Sequence, residues 1–324
     1  MWKRLLCAAT MAHASASGLA AGPAESYPSK PIRLLVGFPA GGSDDYIARV
    51  IGSKITERLG PPVIVDNRPG VAGNLSAEIA ARANADGYTL LTVGSITLAS
   101  SHTLYPRLGY HLLKDFSYIS VVAMGANALL AHPSLPAKSV PELVALARSK
   151  PNAIRYGSAG MGSLGNLAME LLRSLTGMEL QHVPYKGGGP AIIGLTGGEV
   201  QLAISNIPAA LPMIQSKRLS VLAVTSAKRS GALPDVPTVA ESGFAGFDVT
   251  NTFGILAPAG TPAAVVKVLN TELGNIVRTD DVRSKFAAQG LEAAASTPAQ
   301  FRAILEAEVA QWGRVIKDAN IVLN

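Results

Sequence analysis

Ile32-Arg33-Leu34-Leu35-Val36-Gly37-Phe38-Pro39-Ala40-Gly41-Gly42-Ser43 is the stretch that decides the fold class. Its first seven residues form a short, mostly apolar run, suited to a parallel strand buried on both faces. A glycine-rich turn follows. Ile47, Val50, Ile51, Ile55 and Leu59 then recur at helical spacing as far as Gly60-Pro61-Pro62. A strand passing through a glycine turn into a helix is one unit of an α/β fold, and the unit repeats along the chain. Strands are expected over residues 63–65, 88–93, 154–156, 181–183, 200–204 and 219–224. Helices are expected over 74–83, 164–175, 190–195, 209–215, 262–278 and 297–319. Ser139 with Glu142 three residues on forms a capping box for a further helix running to Arg148. Such alternation predicts mostly parallel sheets.

The chain has 324 residues, enough for about two domains at roughly 150 residues each. With 48% hydrophobic and 15% charged residues, it is the opposite of a disordered composition. Lys and Arg exceed Asp and Glu by 28 to 22, but the positive charges are scattered. A nucleic-acid partner needs a clustered patch, so none is expected. Lys3 and Arg4 precede a short apolar stretch, and small residues follow through Ala20-Ala21. That pattern reads as a signal peptide over residues 1–24, implying export to the periplasm. Cleavage would remove Lys3 and Arg4, lowering the formal charge of +6 by two, and would remove Cys7, the single cysteine. The mature chain would then hold no disulfide and no thiol chemistry. No later segment offers the ~18 uninterrupted apolar residues of a membrane span.

Three loops concentrate the glycine: residues 39–43, 157–163 and 186–189. Each follows a strand and opens a helix, where free amides and the helix dipole make an anion site. Tight turns alone also call for glycine, but three such loops favour an anionic ligand. Gly160-Met161-Gly162-Ser163-Leu164-Gly165 matches the G-x-G-x-x-G dinucleotide fingerprint. The acid that should close the next strand is missing, because that strand ends in Pro184-Tyr185-Lys186. A nicotinamide-dependent enzyme is therefore only a minor alternative. The sequence has no phosphate loop of the G-x-x-x-x-G-K-[ST] type, no nucleophile elbow and no H-E-x-x-H. His102, His111, His132 and His182 lack metal-ligand spacing and read as structural or surface residues. Asp44 and Asp45 are adjacent at a helix start and point apart, and nothing near Lys186 in sequence would activate its amine. No catalytic residue, metal or cofactor is expected.

Several ordered segments resemble the Bug-type periplasmic substrate-binding receptors of the tripartite tricarboxylate transporter family. They include Tyr27-Pro28-Ser29-Lys30-Pro31, Phe38-Pro39-Ala40-Gly41-Gly42-Ser43, Val65-Asp66-Asn67-Arg68-Pro69-Gly70 and Asp86-Gly87-Tyr88. His182-Val183-Pro184-Tyr185-Lys186-Gly187, Leu233-Pro234-Asp235-Val236-Pro237-Thr238 and Leu256-Ala257-Pro258-Ala259-Gly260-Thr261-Pro262 continue the pattern. The resemblance runs from Tyr27 to the C-terminus. It implies a two-lobed, type II-like Venus-flytrap fold of the periplasmic binding proteins, with the ligand cleft between lobes. One lobe would comprise residues 25–124 and 250–324 and the other residues 125–249, with crossovers near 121–130 and 249–256. It also implies a non-catalytic receptor that captures a small organic carboxylate for a membrane permease. Presentation to a sensor kinase is the alternative partnership, and the receptor is expected to be a monomer.

Carried over residue by residue, Ala40, Gly41, Gly42 and Ser43 would supply donors from the first lobe, with Asp44 beside them. Ser95 and Thr97 would face the cleft with hydroxyls. Ser158, Ala159, Gly160 and Met161 would close from the second lobe, and Tyr185, Lys186 and Asn206 would line the far wall. Two positions depart from the family pattern. Asp44 stands where Thr or Ser is usual, and Ser205 stands where many members have Asp. Asp44 could be a first-turn carboxylate complementing the helix dipole by ~0.3–1 kcal/mol. Alternatively, it could set a charge near the ligand carboxylate. Repulsion at ~5 Å and an effective dielectric of ~20 would be roughly 3 kcal/mol, which favours a ligand bearing an amine or a neutral polar group.

Overall fold

The structure is a computed structural model that describes residues 27–322. The expected leader lies outside the described residues. The opening stretch forms β1 (Ile32–Val36), with Leu34, Leu35 and Val36 fully buried. It leads through the glycine turn into α1 (Ser43–Leu59), which stops at Gly60 in a positive-φ conformation. Gly60 carries no Cβ, so the turn into Pro61 is free of the strain another residue would meet there. Next come β2 (Val63–Asn67), a short 3-10 turn at Val71–Gly73, α2 (Asn74–Ala81), β3 (Thr89–Gly94), α3 (Ser95–Leu104) and β4 (Phe116–Gly125).

The chain then enters a second sheet with β5 (Asn127–Ala131), α4 (Val140–Ser149), β6 (Arg155–Ser158), α5 (Leu164–Thr176) and β7 (Gln181–Pro184). It continues through α6 (Gly188–Thr196), β8 (Leu202–Asn206), α7 (Ile207–Gln215) and β9 (Ser220–Val224). It returns to the first sheet with β10 (Asn251–Pro258), α8 (Ala263–Val277), α9 (Asp280–Ala287) and β11 (Leu291–Ala293), and ends in α10 (Pro298–Asp318).

The two sheets share one plan. The first has the order β11-β4-β10-β3-β1-β2 and the second β7-β6-β8-β5-β9. In each, three strands are mutually parallel: β2-β1-β3 and β7-β6-β8. In each, a strand that has just crossed from the other sheet is inserted antiparallel. β10 lies between β3 and β4, and β5 between β8 and β9. The expectation of mostly parallel pairing is therefore corrected. A chain crossing between sheets enters the new sheet from the crossover side, so it runs against the strands that end there.

Apolar packing follows this plan. The outer face of the first sheet packs Ile32, Leu34 and Ile255 against Ile47, Ile51, Leu269 and Phe286. The outer face of the second packs Ala128 and Leu130 against Leu195, Ile207 and Ala210. A third cluster is continuous across both sheets, joining Leu91, Leu98, Phe301 and Trp312 to Leu129, Tyr156 and Leu167. Phe301 lies on Gly254 so closely that a Cβ there would sit 2.2 Å from its Cζ. Helix α10 begins at a full capping box between Thr297 and Gln300. At α4 the expected box is only half made. Ser139 caps Glu142, but the Glu142 carboxylate accepts the Lys138 amide rather than that of Ser139.

Three elements escape the sequence reading. In α3, eight of ten residues are buried, so it presents no polar stripe from which helical periodicity can be read. Helix α9 has only eight residues and β11 only three, too short for a periodic signal.

Candidate functional site

The ends of β1, β3, β6 and β8 open helices α1, α3, α5 and α7 on the side where β5 and β10 enter their sheets. At the first of these, Ala40 and Gly41 are exposed, Gly42 is partly covered, and Ser43, Asp44 and Asp45 are buried. The first backbone hydrogen bond of α1 runs from Tyr46 to the Gly42 carbonyl. The amides of Ser43, Asp44 and Asp45 thus stand ahead of the helical ladder, in the geometry of an anion site. Gly41 differs from its expected role. Its N–H donates to Asp45 Oδ2 at 2.9 Å, so it braces the loop instead of facing a ligand.

The two adjacent acids have separate surroundings. Asp45 is held from several sides: Arg49 reaches it at 2.9–3.0 Å and the Asn67 amide at 3.0 Å. Burial alone would raise its pKa, but these hydrogen bonds and the Gly41 amide hold its carboxyl below the usual carboxylate range. Asp44 is 7% exposed, and its Oδ1 has no hydrogen-bond partner among the described residues. Burial pushes its carboxyl up to about 7, although its own amide and that of Gly94 work against this and Asp45 adds repulsion. Ser43 Oγ, beside it, is also enclosed and unpartnered among the described residues.

Gly94 connects this loop to the next. A Cβ on Gly94 would lie 3.4 Å from Asp44 Oδ1 and 3.1 Å from Asn251 Nδ2, so the absence of a side chain lets these two groups close over the end of β3. The Ser95 hydroxyl is fully buried. It donates to Glu308 Oε1 of α10 at 2.8 Å and accepts the Thr252 amide at 3.3 Å. Ser95 therefore ties α3 to α10 and β10. Burial pushes Glu308 up to about 8, despite the Ser95 bond. Thr97 is buried in the first turn of α3, and its carbonyl accepts the Ser100 and Ser101 hydroxyls.

In the second sheet, Ser158 Oγ lies 2.7 Å from His182 Nε2 and accepts the Gly160 amide at 3.1 Å. His182 stacks on Tyr156 at 4.6 Å, and burial lowers its pKa, which favours the neutral imidazole. The Tyr185 amide donates to the Ser158 carbonyl, and its hydroxyl donates to Glu199. Ala159 and Met161 are partly exposed, Lys186 is exposed, and Asn206 pairs in register with Asn127. The loop meets the first half of the chain at α3. The Gly162 carbonyl receives the Ser100 hydroxyl at 3.5 Å, and a Cβ on Gly162 would run into Leu104.

The fingerprint glycines have local explanations. Gly160 and Gly162 adopt positive φ, and a Cβ on Gly165 would sit 2.4 Å from the Ile204 carbonyl oxygen. Close approach of α5 to β8 requires the last glycine without any nucleotide.

Sequence reasoning missed four residues here. His182 lies within a quoted segment but reads in sequence only as a structural or surface residue. Asn251 sits at the expected crossover, Asn127 at the other, and Glu308 inside a helix with no sequence signal. Oδ1 of both asparagines is enclosed without a partner among the described residues, as is Glu308 Oε2. A crevice of about 850 Å³ opens elsewhere, at the flank of the crossover between Gly125, Ser226, Thr250, Arg283 and Gly290. It is lined by none of the expected residues and none of these orphaned atoms, so the strand-end cluster is the stronger candidate. Among the described residues no His, Cys, Asp and Glu group could hold a metal, and no helix is long and apolar enough to cross a membrane.

Comparison with known proteins identifies the family and the fold. The chain is 36% identical to BugT of Bordetella pertussis over 99% of its own length and 98% of that protein's. The solved structure of R. palustris Rpa4515 with adipate superimposes with a TM-score of 0.87 at 36% identity, covering 91% of this chain and 99% of that one. MatC of Rhodopseudomonas palustris with bound malate gives a TM-score of 0.81 at 29% identity, covering 90% and 100%. The family profile of the tripartite tricarboxylate transporter receptors, TctC, matches residues 47–321. With its two-sheet periplasmic binding protein fold, the chain belongs to the tripartite tricarboxylate transporter family of receptors.

Proposed function

We propose that this chain captures a small organic carboxylate in the periplasm and delivers it to a membrane permease. The carrying observation is that strand-to-helix loops of both sheets open on the crossover side, with amides ahead of the α1 ladder and Ser43 Oγ unpartnered beside them. Such ends favour negative charge. Family membership and the adipate and malate carried by two structural relatives support the same reading. The chain acts as a receptor without catalysis, as a monomer, and with a permease rather than a sensor kinase as its partner. Residues 25–124 and 250–324 form one lobe and residues 125–249 the other. The sheet membership of β1–β4, β10 and β11 against β5–β9 supports that division.

Ligand is held between residues 38–45 and 158–163. Hinge movement at β4–β5 and before β10 encloses it, provided that the closed state binds it better than the open one. Calorimetric titration with adipate, malate, succinate and glutarate tests the reading. Saturable binding of at least one is expected, and the absence of binding to all of them and to their amino-substituted counterparts at millimolar concentration would count against it.

A further inference from the structure

Beside the Ser43 and Thr92 hydroxyls, the end of β3 holds two unpartnered atoms that only accept, a carboxylate and an amide oxygen. Asp44 Oδ1 and Asn251 Oδ1 both lie within 4 Å of the position a Cβ on Gly94 would occupy, and both are enclosed. Asn127 Oδ1 is the corresponding orphan where β5 enters the second sheet. The neighbouring loop, by contrast, offers amide donors. A simple carboxylate would satisfy the donors and leave the acceptors unmet. Leaving such groups buried and unpaired is costly, and a charged one more so.

We infer that Asp44 and Asn251 form a subsite for a hydrogen-bond-donating cationic group, so that the ligand is a carboxylate that also carries a protonated nitrogen. This deepens the carboxylate reading and rests on it. Other charges nearby do not replace Asp44 in this role. Asp45 is committed to Arg49, Asn67 and Gly41, and Glu308 lies behind the Ser95 hydroxyl. On the facing sheet, Ser205 of β8 carries no charge. The raised affinity of Asp44 for a proton accords with a carboxyl that lacks its counter-charge.

Matched pairs test the inference by titration calorimetry: succinate with aspartate, glutarate with glutamate, and adipate with 2-aminoadipate. For at least one pair, the amino member should bind ~10–100-fold more tightly, the range of a charge-assisted hydrogen bond. Asp44→Asn and Asp44→Thr should remove most of that preference, and melting curves of the free variants verify that they fold. Asn251→Ala supplies an independent variant and should reduce the preference in the same direction. A wild-type chain that binds plain acids as tightly as their amino partners overturns this inference alone. So does a preference that survives in the folded Asp44 variants. Failure to bind either member of any pair overturns the carboxylate reading and this inference together.

Discussion

Replacing Asp44 by Asn should stabilise the free protein, and the gain should depend on pH in a defined direction. Asp44 is 7% exposed and its carboxyl is pushed from 3.8 to about 7 in the fold. Below pH 4 the carboxyl is protonated in both folded and unfolded chains, so it contributes no pH dependence there. Between about pH 4 and pH 7 the unfolded chain releases the proton while the folded chain keeps it. Stability therefore falls as pH rises through this window, and levels off above it. The difference between 3.8 and about 7, at ~1.4 kcal/mol per pH unit, sets a ceiling of ~4 kcal/mol above pH 7. The attraction of the α1 N-terminus for a charge, ~0.3–1 kcal/mol, opposes this and is too small to reverse it. Asn fills the same space, carries no charge and can donate. Urea unfolding of both proteins should show little difference at pH 4, with Asp44→Asn more stable by up to ~4 kcal/mol at pH 8. A difference that is the same at pH 4 and pH 8, or a variant that is less stable at pH 8, would refute the argument. The experiment also bears on function, since a buried acid that lowers stability at working pH fits a group retained for binding.

Glu308→Gln should behave similarly over a higher window. Burial pushes Glu308 up to about 8, so the wild type loses stability between about pH 4.5 and pH 8. The variant, which keeps an acceptor for Ser95, should gain in urea midpoint at pH 9 relative to pH 5. Gly165→Ala should destabilise by ~1–3 kcal/mol, because its Cβ would sit 2.4 Å from the Ile204 carbonyl oxygen; an unchanged melting temperature would contradict the close packing of α5 on β8. Ser158→Ala should weaken carboxylate binding by ~0.5–3 kcal/mol by removing the hydroxyl that holds Gly160 and meets His182. His182→Ala should weaken it in the same direction, and unchanged calorimetric affinity in both would remove this loop from the site.

Much of this protein was legible in its sequence, because local patterns carry the information. A buried strand such as residues 32–36 must be an apolar run, a helix such as α1 must repeat every three or four residues, and a turn at positive φ calls for glycine. These constraints were sufficient for the α/β class and for the strand-to-helix glycine loops at residues 39–43 and 157–163. Only tertiary structure decided which atoms meet. Parallel or antiparallel pairing depends on where a crossing strand enters its new sheet, which no stretch of β5 or β10 encodes. Whether a polar residue serves structure or ligand depends on partners far away in the chain. Ser95 is committed to Glu308, 213 residues later, and the Gly41 amide is turned inward by Asp45. Asp44 looked in sequence like either a helix-end acid or a charge beside the ligand. Its surroundings set it apart from its neighbour. Asp45 received Arg49 and Asn67, while Asp44 was enclosed against Gly94 and Asn251 with an oxygen left over. Burial and hydrogen-bond partners are properties of the packed chain, and they separate two adjacent, chemically identical side chains.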